Sequence, residues 1–111
     1  MPRDSRIYLE DILEATRKIK MYTGDLSKAT FLEDEKTFDA VVRNLEVIGE
    51  AVKKLPADLR AKHTVLDWKK IAGLRDILIH EYFGLDGEIV WDIVQNKVPA
   101  LDREVRKMLN Q

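Results

Sequence analysis

Four side chains that could take part in a chemical reaction lie within one short segment: Arg75, Asp76, His80 and Tyr82. Arginine can grip a phosphodiester with two parallel hydrogen bonds, and histidine can accept or release a proton near neutral pH. Asp76 precedes His80 by four residues, so in a helix the two share a face and the carboxylate could fix the imidazole tautomer. The segment therefore contains the residue types needed to hold a phosphate and to transfer a proton.

RNA is a substrate that such residues could cleave without a metal, because its 2′-hydroxyl is a built-in nucleophile. Arg75 would bind the phosphate and stabilise the transition state, and histidine would act as general base or acid. The products would be a 2′,3′-cyclic phosphate and a free 5′-hydroxyl. On these residues alone a plain structural interpretation is favoured, with Arg75 and Asp76 as solvated charges, His80 as a partly buried polar residue and Tyr82 in the core.

Composition limits the other possibilities. The chain has 111 residues, which predicts one domain over residues 1–111, and its 19 basic and 20 acidic side chains give a net charge of −1. RNA contact would therefore need a local basic site. The absence of cysteine excludes disulfides and thiolate metal sites and fits a cytoplasmic location. The two histidines form no metal-binding pattern, and His63 is expected to be an exposed bystander. No signal peptide or membrane span is visible.

The chain is predicted to be all-α, with four main amphipathic helices in an antiparallel up-down bundle. The first helix covers about residues 4–23 and ends at Gly24. The next three start at aspartates typical of N-caps. They run from Asp34 to Pro56, from Asp67 to Gly84, and from Asp86 onward with a kink expected at Pro99. The connector at 25–33 has room for one helical turn, and residues 56–66 are expected to form a short helical turn and a loop.

Apolar residues recur at helical spacing in all four helices, which predicts the faces that form the core. Gly49 and Gly73 fall inside two of these patterns, where glycine costs about 1 kcal/mol relative to alanine, so close helix approach is expected at both. The predicted core positions are Leu9, Ile12, Leu13, Thr16 and Ile19; Phe38, Val41, Val42, Leu45, Ile48, Val52 and Leu55; Trp68, Ile71, Leu74, Leu78 and Tyr82; and Ile89, Ile93, Val94, Val98, Leu101, Val105 and Met108.

Helical geometry also bears on how Arg75 and His80 could act together. Five residues separate them, which is roughly 140° around a helix of 3.6 residues per turn. They can converge if the arginine bends around, if the helix distorts, or if a second copy of the segment faces the first. A two-fold homodimer would supply the last arrangement, because its interface brings identical patches together.

Nearly the whole chain resembles the HepT-like group of HEPN-domain proteins. The R-x4-H-x-Y signature of that group is matched from Arg75 to Tyr82, within a wider similar segment at 68–84. Residues 43–51 resemble the family's second-helix segment, and residues 90–94 and 98–101 resemble its last helix. The resemblance implies an all-α HEPN-like bundle that forms a homodimer and cleaves RNA at the dimer cleft without a metal or cofactor.

The resemblance also implies roles for single residues. Arg75 and His80 map onto the catalytic arginine and histidine, and Asp76 maps onto the supporting polar residue. Tyr82 maps onto the tyrosine that a partner nucleotidyltransferase antitoxin of the MntA type modifies with AMP, which silences the toxin. The alternative is a non-catalytic HEPN module that binds a nucleotide or docks the nucleotidyltransferase. The near-neutral charge favours a small basic cleft, a selective substrate or weak activity.

Overall fold

The computed structural model describes residues 1–80 and 86–110, with the side chains of residues 79 and 80 outside that description. Within these ranges the chain is helical and contains no strand, which confirms the all-α prediction. The α-helices are α1 (Arg3–Thr23), α2 (Lys28–Glu33), α3 (Glu35–Lys53), α4 (Ala57–Ala61), α5 (Trp68–His80), α6 (Gly87–Asp92) and α7 (Val98–Leu109). The count of four main helices is not confirmed: α2 and α4 lie in the two connectors, and the last predicted helix is divided.

The predicted aspartate caps are present at the starts of three helices. Asp34 Oδ1 accepts a hydrogen bond from the backbone N–H of Thr37 at 3.0 Å, which satisfies one of the free donors at the start of α3. Asp67 accepts a hydrogen bond from the backbone N–H of Lys70 at 3.1 Å, and Asp86 accepts one from a backbone N–H at the start of α6. The predicted end of the third helix at Gly84 lies outside the described residues.

The predicted disturbance at Pro99 takes the form of a π-helical segment, Ile93–Lys97, between α6 and α7. Proline has no N–H and so cannot donate to the carbonyl four residues earlier. The backbone widens just before it, and the N–H of Val98 bonds to the carbonyl of Ile93, five residues back. Because α7 begins at Val98, Pro99 lies in its first turn, where a missing N–H costs little.

The core lies between α1, α3 and α7. Helix α1 packs against α3 and α7, α3 also packs against α5, and α2 packs against α3 and α6. Most predicted core residues of α1, α3 and α7 are buried, but Ile89 is 61% exposed, so that assignment is wrong. Val90 is buried in its place, and the neighbouring Trp91 ring lies 5.1 Å from the Phe31 ring of α2. The short α6 thus presents a different face from the one that helical spacing favoured.

Helix α5 lies at the edge of this assembly and packs chiefly on α3. Trp68 and Leu78 are buried at its two ends, whereas Ile71 and Leu74 are half-buried and Ile77 is 49% exposed. None of the helices described at residues 1–80 and 86–110 is both long and apolar enough to cross a membrane.

Candidate functional site

Helix α5 carries three of the four predicted site residues. Arg75 and Asp76 lie in its second half, and His80 is its last residue. The backbone is helical from Arg75 to His80, so their positions differ by roughly 140° around one helix. Tyr82 lies outside the described residues, and the direction of the His80 side chain is also outside the description.

Arg75 lies at a close approach between α3 and α5. A Cβ added to Gly49 would lie 2.9 Å from the backbone nitrogen of Arg75 and 3.1 Å from its Cβ. Only a residue without a side chain permits this approach, so the prediction of close helix contact is confirmed at Gly49. At Gly73 the same prediction fails within the chain, because no described atom lies within 4 Å of the added Cβ.

The Arg75 guanidinium is part of a network of alternating charges that joins α3 and α5. Its Nε lies 2.6 Å from Glu50 Oε2, and its Nη1 lies 3.5 Å from Asp76 Oδ1. Lys53 Nζ donates to both Asp76 oxygens at 3.1 Å, and Lys54 Nζ lies 3.8 Å from Glu50 Oε1. Lys53 and Lys54 are thus exposed and also paired.

This network is open to solvent. The side chains of Arg75 and Glu50 are 40% and 44% exposed, and that of Asp76 is 54% exposed. An ion pair in such a position contributes about 0–1 kcal/mol to stability, so a phosphate could displace or share its members at little cost. A carboxylate accepts several hydrogen bonds, so the Lys53 contact does not prevent Asp76 from also pairing with His80. That pairing stays a prediction.

Arg75 stands on the rim of a groove of about 330 Å³ between α1, α3 and α5. Lys54 Nζ lies 5.6 Å from the centre of the Tyr8 ring, in the range of a cation–π contact. Three cations and three carboxylates line the groove, so its formal charge is balanced rather than basic. The lining residues are Tyr8, Asp11, Arg43, Glu46, Val47, Glu50, Ala51, Lys54 and Arg75.

Sequence reasoning did not assign a site role to Tyr8, Arg43 or Glu50. Glu50 had one usable signal, since it follows the glycine that allows α3 to approach α5. Among the described residues no group of three or more histidine, aspartate or glutamate side chains could hold a metal ion.

His63 is not the exposed bystander that the sequence suggested. It is 7% exposed, and its Nδ1 lies 3.0 Å from Oε1 of Glu104, which is itself 8% exposed. The backbone carbonyl of His63 also accepts a hydrogen bond from Trp68 Nε1 at 2.7 Å. These contacts join the loop before α5 to α7, so His63 helps to fix the start of the helix that carries the site.

Comparison with known proteins gives a consistent result. The model of the family described as Ribonuclease HepT-like matches residues 12–108. A Methanocaldococcus jannaschii protein named "Putative RNase" is 51% identical to 98% of this chain, over 91% of its own length. A Thermococcus cleftensis protein named "Probable ribonuclease HepT" is 42% identical, over 97% of this chain and 98% of its own. A "Putative RNase" of Caldanaerobacter subterraneus is also 42% identical, over 96% of this chain and 95% of its own. No solved structure is a significant match.

Proposed function

Because the chain belongs to the HepT-like ribonuclease family, we propose that it is an endoribonuclease that needs no metal and acts as a homodimer. Arg75 holds the scissile phosphate, His80 transfers protons and Asp76 supports His80. The observation that carries this assignment is the position of Arg75, half-exposed in the lining of an open groove and located at a close approach of two helices.

The proposed reaction is an in-line transfer within the RNA. The 2′-hydroxyl attacks the adjacent phosphorus while one imidazole takes its proton, so a P–O bond to the 2′-oxygen forms. The bond from phosphorus to the 5′-oxygen breaks, and a second imidazole in its protonated form gives that oxygen a proton. The guanidinium stabilises the negative charge that grows on the phosphoryl oxygens. The products are a 2′,3′-cyclic phosphate and a 5′-hydroxyl.

The face of α5 that is turned away from α3 supports the homodimer. Arg75 lies at the contact with α3, whereas positions 73, 77 and 80 fall together on the outer side by helical spacing. Gly73 has no described atom near its added Cβ, and Ile77 is 49% exposed. A second copy packed on this face would bury Ile77 and bring its own residues next to position 80, which supplies the two histidines that the reaction requires.

The proposed regulation rests on the family resemblance. A nucleotidyltransferase of the MntA type transfers AMP to Tyr82 and so silences the enzyme as the antitoxin of a pair. Tyr82 is two residues beyond His80, so an added nucleotide would lie close to the reacting groups. Mass spectrometry of the protein co-expressed with its partner tests this step, and an unmodified Tyr82 would count against it.

The test of the nuclease is RNA cleavage by the purified dimer in EDTA. We expect the wild type to cleave RNA to products with 2′,3′-cyclic phosphate ends and to leave the 2′-deoxy analogue intact. His80→Ala should lose cleavage and keep its helical circular dichroism spectrum. Equal cleavage by the wild type and His80→Ala would remove His80 from the mechanism.

The balanced charge of the groove favours one alternative, a non-catalytic module that docks the nucleotidyltransferase. An RNA-binding cleft usually carries an excess of positive charge, and the described part of this groove does not. The module would bind its partner tightly and leave RNA intact after long incubation. The same cleavage experiment therefore separates the two functions.

A further inference from the structure

The Arg75 guanidinium forms an ion pair with a residue from another helix. Glu50 of α3 places Oε2 at 2.6 Å from Arg75 Nε, the shortest contact in the charge network that joins α3 and α5. The partner on its own helix, Asp76, lies 3.5 Å from Nη1. The nearest partner of the guanidinium thus lies across the helix contact.

The position of Glu50 on the guanidinium matters for phosphate binding. A guanidinium offers one pair of donors at its Nε side and another at its Nη1–Nη2 end. Glu50 lies at Nε, and Asp76 lies 3.5 Å from Nη1, at the outer limit of a hydrogen bond. A phosphate that displaces the long Asp76 contact would therefore meet the Nη1–Nη2 end of the guanidinium in a bidentate contact.

We propose that Glu50 is a positioning residue that holds Arg75 in its catalytic orientation. This inference rests on the proposed ribonuclease function. Catalysis depends on donors that stand ready where charge develops, and a small misplacement of such a group can cost on the order of 100-fold in rate. A free arginine side chain would have to lose its rotamer freedom at every turnover, whereas the Glu50 contact removes much of that freedom in advance.

A purely structural role does not account for the pair. The two side chains are 40% and 44% exposed, and a pair that is this open contributes about 0–1 kcal/mol to stability. Gly49 already brings α3 and α5 together through their backbones, so the helix contact does not depend on the pair.

The charge of Glu50 also opposes an incoming phosphate, and two lysines offset this effect. Lys54 Nζ lies 3.8 Å from Glu50, and Lys53 Nζ pairs with Asp76 at 3.1 Å. Each carboxylate beside Arg75 thus has a cation on its other side. The arrangement lets Glu50 direct the guanidinium while its repulsion of the substrate is reduced.

The experiment compares Glu50→Ala and Glu50→Gln with the wild type in metal-free cleavage of a defined RNA. We expect Glu50→Ala to lower kcat by roughly 10- to 100-fold with KM changed by no more than about 3-fold, because orientation rather than binding is lost. Glu50→Gln keeps an oxygen that can meet Nε and should recover most of that loss. The matched control is Glu14→Ala, which removes another arginine–glutamate pair of 2.6 Å on the exposed side of α1 and should cleave like the wild type.

A second readout does not depend on activity. The order parameter of the Arg75 Nε–H group, measured by NMR, should exceed about 0.6 in the wild type and fall below that value in Glu50→Ala. The signal is assigned by its loss in Arg75→Lys. Unchanged order in Glu50→Ala would overturn the positioning role.

The kinetic outcomes separate this inference from the function on which it rests. An active wild type with an equally active Glu50→Ala would overturn the role of Glu50 and leave the nuclease standing. Faster cleavage by Glu50→Ala would also overturn it, since Glu50 would then act as a competitor of the substrate. A wild type that leaves RNA intact would overturn both, and the order of Arg75 would then report only a surface contact.

Discussion

Two helix contacts in this molecule each contain a carboxylate paired with an arginine, within one helix in the first and between two helices in the second, and they differ in burial. Where α1 meets α7, Asp102 is 3% exposed and accepts hydrogen bonds from Thr16 Oγ1 at 2.8 Å and Arg106 Nε at 2.7 Å. Where α3 meets α5, Glu50 and Arg75 are both about half-exposed, and the contact of Arg75 Nη1 with Asp76 is 3.5 Å long.

The difference shows which contact is made for stability. Burial raises the pKa of Asp102, but the hydrogen bonds from Arg106 and Thr16 and the charge of Lys20, 3.5 Å away, outweigh it, so the pKa lies below its usual value. A carboxylate so satisfied stabilises the fold and has little capacity left for a ligand. The contact between α3 and α5 leaves donors of an arginine in an open groove, where they contribute little to stability and can serve a substrate.

The strongest test of this contrast replaces each of the two arginines with alanine in turn. Arg75→Ala should reduce RNA cleavage by about 100- to 1,000-fold, the usual effect of removing a group that stabilises transition-state charge, and it should unfold at nearly the wild-type urea concentration. Arg106→Ala should do the opposite, since it removes a hydrogen bond to a buried carboxylate and touches no groove residue. Its urea midpoint should fall while its cleavage per folded molecule stays at the wild-type level. A loss of cleavage in both variants would mean that the contacts are not independent.

A second test uses pH to isolate the buried carboxylate. Asp102→Asn should lower the free energy of unfolding by roughly 1–2 kcal/mol at pH 7, because a hydrogen bond to a charged group is replaced by a neutral one. The pKa of Asp102 is lower in the folded than in the unfolded state, so its stabilisation is complete above the unfolded value near pH 4 and is lost as the pH falls through the lower folded value. Urea unfolding should therefore separate the wild type from Asp102→Asn at pH 7, and the difference should shrink as the pH is lowered below the unfolded value. A difference that stays constant over that range would contradict the lowered pKa.

Local signals in the sequence predicted the helices well. Aspartate caps, an interrupting proline and apolar spacing depend on residues close in the chain, so Asp34, Asp67 and Asp86 were found at helix starts without knowledge of the fold. The same local signals fail where residues distant in the sequence decide which face of a helix is buried. Ile89 fits the helical spacing, but α6 is short, buries Val90 and places the Trp91 ring against Phe31 of α2, which spacing alone does not reveal.

The candidate site also has features that depend on residues close in the chain and features that depend on distant ones. The types and spacing of Arg75, Asp76 and His80 suggest phosphate binding and proton transfer, and the family resemblance supports this. The cross-helix partners of the arginine could not be read from the sequence, because Glu50 is 25 residues away and meets Arg75 only through the approach at Gly49. The buried pairing of His63 with Glu104, 41 residues apart, was missed for the same reason.

The smallest expected effect on stability comes from alanine substitutions at the two glycines for which the sequence makes the same prediction. An alanine at position 49 would place its Cβ 2.9 Å from the Arg75 nitrogen, and backbone cannot move aside as a side chain can. Overpacking destabilises a folded protein by about 1–3 kcal/mol, and the better helix propensity of alanine stabilises it by about 1 kcal/mol. Gly49→Ala should therefore lower the free energy of unfolding by about 1 kcal/mol. Because α5 must shift, we expect cleavage to fall by about 10- to 100-fold, more than the loss of stability explains.

Gly73→Ala is the matched control, since no described atom lies near its added Cβ. The folded chain should gain up to about 1 kcal/mol from helix propensity, measured by urea unfolding at a fixed protein concentration. If a second copy packs on this face of α5, the added methyl group should also weaken the dimer, which sedimentation velocity at several concentrations detects. The two variants would then divide α5 into one side that positions Arg75 against α3 and another that meets the partner. Equal stability and equal cleavage in Gly49→Ala and Gly73→Ala would show that the contact between α3 and α5 tolerates a shift, and the special position of Arg75 would lose its structural basis.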